Sequence, residues 1–188
     1  MLKEFNEIRK RLSSYDSKRE ELIKKSRELL KISKQVIYSV HRGNDSESLV
    51  SLKKAAKIKK ELDKIASFDK KLFFEGSYSD GCQEYVEAVC YHKYVKTGKL
   101  IGSKELEVSY EDYLMGICDL TGELTRRAVS LVTKGKGKEV LPIKNFVEDI
   151  YGEFLKFDLR NGHLRKKYDS IKWNLKKLEE VMYDLSRK

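Results

Sequence analysis

Apolar residues recur every three or four positions over most of this chain, and nowhere do they alternate with polar ones over the length of a strand. Phe5, Ile8, Leu12, Tyr15, Leu22, Leu29, Val36 and Val40 draw one stripe along the first forty residues, with Arg19, Ser26 and Ser33 at the seam positions between them. The stripe predicts a single long helix, suited to a bundle more than to a free coiled coil. It stops around His41-Arg42-Gly43. Asn44 followed three residues later by Glu47 reads as a capping box for a second helix. That helix turns Leu49, Leu52, Ala55, Ala56, Ile58, Leu62 and Ile65 inward and its lysines outward.

Residues 67–81 break the periodicity and lead into a third helix. Residues 97–108, which include Gly98 and Gly102, read as a connection between helices. Ser109 and Asp112 form a second capping box, and the helix they open carries Tyr110, Tyr113, Leu114, Ile117, Leu124, Ala128 and Leu131 as its main stripe. After a lysine- and glycine-rich loop, Pro142 sits where a helix can begin. The last helix is the most regular: Leu164, Tyr168, Ile171, Leu175, Leu178, Met182 and Leu185 step by four and three. Such a seam packs helix against helix, within one chain or between chains. The expectation is an all-α fold, a single domain over residues 1–188 built as a bundle of six or seven helices.

Composition narrows the function. The chain of 188 residues carries a formal net charge of +10, which favours a polyanionic partner, nucleic acid being the commonest. No apolar run approaches the length of a membrane span, so no membrane role is expected. The N-terminus is charged from its third residue, which predicts no secretory signal. Three cysteines without a CxxC point to a reducing compartment, hence a cytoplasmic protein. The three histidines are scattered, against a zinc site of ordinary spacing.

Charged residues make up 37% of the chain, yet two windows are nearly dry. From Cys82 to His92 the only formal charges are Glu84 and Glu87; from Tyr113 to Glu123 they are Asp119 and Glu123. Spacings of three and four put each pair on one face of a helix. The two pairs lie nearly equidistant from the connection between their helices, with arms of roughly 18 Å. An antiparallel hairpin would set them level. Asp119 and Glu123 also lie away from the main stripe of their helix, facing solvent, a cavity or another subunit. One reading makes the four ordinary surface acids, or structural acids paired with Lys93, Arg126 and Arg127. The other makes them a divalent-cation site, since four acids at one level repel unless a cation neutralises them. All-oxygen ligands suit Mg²⁺, or Mn²⁺. A ferritin-like di-iron centre needs Glu-x-x-His pairs, which are missing from these windows.

The segments QEYVEAV (Gln83 to Val89) and DYLMGICDLTGELTRR (Asp112 to Arg127) resemble the translin family, and within it the catalytic branch, translin-associated factor X. The segment from Leu159 to Ser186 is similar to translin itself. The resemblance is dense from about Ser79 to the end. It implies an all-α bundle that assembles into a hollow oligomer, usually an octamer, enclosing RNA. It further implies a Mg²⁺-dependent endoribonuclease whose acidic site matches Glu84, Glu87, Asp119 and Glu123. Unpaired, single-stranded RNA is the expected substrate. A non-catalytic shell of translin type that binds single-stranded RNA or DNA is the alternative. Catalytic signature and translin-like tail in one chain suggest a homo-oligomer, with a translin-type partner subunit as the other arrangement, and the seam from Leu164 to Leu185 as a candidate interface. Translin's basic, histidine-containing stretch upstream of the first acid helix has no counterpart in Phe74–Tyr78. Lys70, Lys71, Arg126 and Arg127 are the candidates for RNA contact by proximity, against plain surface charge or ion pairing.

Overall fold

A glycine ends the first helix where the stripe predicts it. The computed structural model describes residues 2–187, and α1 runs over Leu2–His41. Gly43 at φ +71° then turns the chain into α2, Asp45–Ala66. After a 3₁₀ turn, Lys70–Phe74, come α3 (Gly76–Thr97), the single-turn α4 (Ser103–Leu106), α5 (Tyr110–Thr133), α6 (Val140–Phe154) and α7 (His163–Ser186). Among the described residues there are seven α-helices and no strand, so the fold is all-α as the periodicity predicts. No helix among them is long and apolar enough to cross a membrane.

The chain divides into two compact units, Met1–His92 and Lys93–Lys188. In the first, α1 packs on α2 and buries Leu22, Leu29 and Val36 together with Ala55, Ile58 and Leu62. Ser26 and Ser33, at seam positions of α1, are buried as well, and their small size suits a tight seam. α3 comes so close to α1 at this level that a Cβ on Gly81 would lie 3.5 Å from that of Ser26. Polar ties complete the unit. Asp63 accepts hydrogen bonds from Lys59 and from the Tyr78 hydroxyl, at 2.7 and 2.8 Å. Glu75 accepts from the Tyr15 hydroxyl at 3.0 Å and pairs with Arg19 at 2.9 Å.

In the second unit α5, α6 and α7 pack on one another. The α7 seam is buried at Tyr168, Ile171, Leu175 and Leu178. Tyr168 stacks on Tyr151 and Phe154 of α6. Asn174 donates to the Thr121 hydroxyl of α5 at 2.8 Å, and Gly122 leaves room for that approach. The seam offered as a candidate interface between copies is therefore occupied within the chain. Pro142 falls in the first turn of α6, where its missing N–H costs nothing.

Both helix starts with a paired acid are capped, in a modified form. The Asn44 carbonyl accepts the Glu47 N–H at 3.3 Å, and the Ser109 hydroxyl accepts the Asp112 N–H at 3.0 Å. In each case the acid then bonds the cap's side chain, at 2.8 and 2.7 Å, instead of its backbone N–H.

Four expectations need correction. The first turns of α1 are exposed, and burial begins only at Leu22. In α2, Leu49 faces solvent while Lys59, read as outward, is buried with its ammonium on Asp63. The break at 67–81 is shorter than its composition suggests: α3 starts at Gly76, and the Glu75 carbonyl accepts the Tyr78 and Ser79 N–H groups at 2.9 and 3.2 Å. Glycine weakens a helix by about 1 kcal/mol in isolation, and the packing of α3 on α1 and α2 outweighs that cost here; a Cβ at Gly81 would make only ordinary contact with Ser26. Tyr110, placed on the α5 stripe, is exposed, and a second α5 ridge of Met115, Cys118, Thr121 and Thr125 is buried instead.

Truncating the fully buried seam residue Ile171 to alanine should cost about 2–5 kcal/mol, whereas Tyr110→Ala should change stability by less than about 0.5 kcal/mol. Urea unfolding at constant protein concentration measures both.

Candidate functional site

α3 carries Glu84 and Glu87 three residues apart, so both carboxylates leave the helix on one face. The helix there is packed nearly all round: Cys82, Gln83, Tyr85, Val86, Ala88, Cys90 and Tyr91 are buried. Glu87 is itself only 8% exposed. Glu84 is half-buried and meets the ammonium of Lys34, which α1 supplies, at 3.5 Å.

α5 carries Asp119 and Glu123 four residues apart, again on one face. Asp119 is held by Lys167 of α7 in a close hydrogen-bonded ion pair, the two side chains being 31% and 33% exposed. Glu123 pairs with Arg126 one turn on, at 3.5 Å. Next to Asp119 the thiol of Cys118 is pushed up to about 12 by burial and by the neighbouring carboxylate, with Lys167 pulling the other way.

The geometry puts each pair on one helix face, as the spacing predicts, and supplies its counter-ions from unexpected places. Of the three partners considered from sequence, Arg126 is bonded; among the described residues Lys93 and Arg127 make no ion pair. Lys34 and Lys167 were missed. Both flank seam positions, Lys34 beside Ser33 and Lys167 beside Tyr168, so helical phase could have flagged them as side chains at the edge of a packed face. The RNA-contact candidates Lys70 and Lys71 are exposed on the 3₁₀ turn, next to the exposed rings of Phe73 and Phe74. Arg126 is exposed and Arg127 half-buried.

Among the described residues no three His, Cys, Asp or Glu side chains gather as metal ligands; each unit, taken by itself, holds one pair of acids. Such a donor set fits magnesium better than calcium or zinc. Magnesium keeps several waters and takes one or two carboxylates plus substrate phosphates, where the others are held in fuller protein cages. Ammonium and guanidinium groups already stand on three of the four acids.

The Translin family model matches residues 17–187. The chain belongs to the Translin family. The match reaches well upstream of Ser79, where the resemblance of individual segments thins. Translin of Gallus gallus is 46% identical over 76 residues, which are 40% of this chain and 33% of that protein. The similarity thus spans about a third of the length of the curated translins it matches. The translin-associated protein X homolog of Schizosaccharomyces pombe is 27% identical over 212 residues, covering 97% of this chain and 87% of that one. Among solved structures, apo-NeC3PO superposes with a TM-score of 0.90 at 26% identity, covering 97% of each chain. AfC3PO in its complex with duplex RNA gives 0.82 at 28% identity, covering 95% of this chain and 94% of that one.

Because the Asp119–Lys167 pair is partly solvated, its coupling should not exceed about 1 kcal/mol in a double-mutant cycle of Asp119→Asn and Lys167→Met, read by urea unfolding in chelator. Burial and the raised pKa should also keep Cys118 from reacting with iodoacetamide at pH 8 until the chain unfolds, which mass spectrometry of the labelled peptide checks.

Proposed function

We propose that this protein is a Mg²⁺-dependent endoribonuclease that works as a subunit of a hollow oligomeric shell, with Glu84, Glu87, Asp119 and Glu123 as the metal-holding carboxylates. The observation that carries the reading is the pair of acids on each of two packed helices, with Lys34, Lys167 and Arg126 brought to Glu84, Asp119 and Glu123. Membership of the Translin family and likeness over nearly the whole chain to a translin-associated protein X homolog support it. Likeness to AfC3PO, whose structure was determined with duplex RNA, supports RNA as the ligand. We place the protein in the cytoplasm, in keeping with the absence of a disulfide between Cys82, Cys90 and Cys118.

The chain's own groups divide the work. Glu84 and Glu87 of the first unit, and Asp119 and Glu123 of the second, would be the carboxylates that hold Mg²⁺, and Mn²⁺ is an acceptable substitute. When bound, the metal supplies Lewis acidity and neutralises charge that develops on the scissile phosphate. One of the four carboxylates takes the proton of the attacking water. Lys34, Lys167 and Arg126, released in part from the acids, attract the phosphate backbone. The net charge of +10 adds a sequence-independent pull on RNA that weakens with salt. Single-stranded RNA is the preferred substrate in this reading, because a flexible strand enters an enclosed site more easily than a long duplex. A homo-oligomer, an octamer by resemblance, needs no separate translin-type subunit, which remains the second arrangement.

Labelled single-stranded RNA should be cut in Mg²⁺ and left intact in EDTA, and Glu87→Gln or Glu123→Ala should lower turnover by about 10²-fold or more while RNA retention persists. Cutting that is indifferent to chelator and to both substitutions overturns the mechanism. Salt-dependent retention without cutting, in Mg²⁺ as in Mn²⁺, leaves the non-catalytic shell. A duplex of the same sequence, cut faster than the single strand, would reverse the substrate preference.

A further inference from the structure

The first turns of α1 form an amphipathic surface that none of the described residues covers. Every residue from Leu2 to Ser14 is exposed. Phe5, Ile8 and Leu12 are among them, at 58%, 47% and 59% exposure. They continue, by steps of three and four, the seam that α2 covers farther along at Leu22, Leu29 and Val36. The helix is last tied to its own unit at Tyr15 and Arg19, both bonded to Glu75. The family match begins at residue 17, so this overhang lies outside it.

Charge decides what fits. With Phe5 and Leu12 at position a of a heptad and Ile8 at d, the flanking g positions are Glu4 and Arg11, and the e positions are Arg9 and Asp16. In a parallel two-stranded coil each g residue faces the partner's e residue five positions on. Glu4 then meets Arg9 and Arg11 meets Asp16, each contact made twice by symmetry and each of opposite sign. Among the described residues none of these four has an ion-pair partner in its own chain, whereas the next turns pair Lys18 with Glu21 and Lys25 with Glu61. A fully overlapped antiparallel pairing would instead stack Arg9 on Arg9 and Arg11 on Arg11.

We propose that the overhang, Leu2–Asp16, docks on the same segment of a second copy of this chain as a parallel coil, with Phe5, Ile8 and Leu12 each packed against its own counterpart. The proposal rests on the self-assembly in the proposed function and names one of its contacts. At fifteen residues, about 22 Å, the segment is too short to hold two free chains, and it acts as a tie between subunits already kept close by other contacts.

A parallel coil brings identical a positions together, so Leu12→Cys should form disulfide-linked dimers under mild oxidation. The outward-facing Ser14→Cys should link at least about tenfold more slowly. The three native cysteines are buried and add no background. Ile8→Asp should lower the particle mass in light scattering at low micromolar protein, with RNA retention per chain kept. Glu4→Arg should weaken assembly, and Arg9→Glu added to it should restore it. Equal linking at positions 12 and 14, linking of Phe5→Cys to Leu12→Cys chains in preference to self-linking, or assembly indifferent to Ile8→Asp each overturns the proposal. An assembled wild type with such results refutes this contact alone; a monomeric wild type refutes self-assembly and the contact together.

Discussion

Carboxylates on the packed faces of helices have lost much of their hydration, and they have to be met by positive charge. That constraint shapes both acid-bearing helices. Glu84 draws Lys34 from α1, Asp119 draws Lys167 from α7, and Glu123 draws Arg126 from its own helix. Like charges one turn apart repel by a few tenths of a kcal/mol, and half-exposed ion pairs return at most about 1 kcal/mol. The net gain is small, so stability alone gives little reason to place acids there. The unit that holds Asp119 and Glu123 is kept together by burial of Ile171, Leu178, Val147 and Phe154. Acids that add little to the fold, set where hydration is thin, are the ones to which the proposed chemistry is assigned.

α7 joins the two roles. Its seam fixes its rotation against α5 and α6, and Asn174 fixes its height through the Thr121 hydroxyl. Lys167 precedes the buried Tyr168, so the packing that positions the ring also delivers the ammonium to Asp119. A register shift by one turn would carry Lys167 about 5.4 Å along the axis and out of reach. The regularity of the seam is therefore as much a statement about the acid site as about the core.

What could be read from the sequence was what local forces decide. The ends of α1 and α2, the caps at Asn44 and Ser109, the place of Pro142 and the buried phase of α7 follow from neighbours within a turn or two, and the structure has them. The acid pairs share that legibility, since a spacing of three or four is enough to put two side chains on one face. Their counter-ions do not, because Lys167 lies 48 positions from Asp119 and no local rule brings it there. Lys59 is the same kind of case: its burial depends on Asp63 and on the Tyr78 ring that α3 brings over it. The early start of α3 was hidden for a related reason. Glycines at 76 and 81 argue against a helix locally, and only the burial of Tyr78, Cys82, Tyr85 and Val86 against the rest of the unit overrides them.

The two halves of α1 show where periodicity stops being informative. One heptad phase runs through both, and nothing in the spacing of Phe5, Ile8 and Leu12 separates them from Leu22, Leu29 and Val36. Only the fold does, by ending α2 and the start of α3 against the second half and leaving the first uncovered. An amphipathic stripe states that a face will be buried and is silent on what buries it. The flanking charges supply part of the missing information. In the buried half they find partners across to α2 and Glu75, as Lys25 does with Glu61. In the free half they are complementary to themselves in one orientation, which is the mark of a surface meant for its own copy.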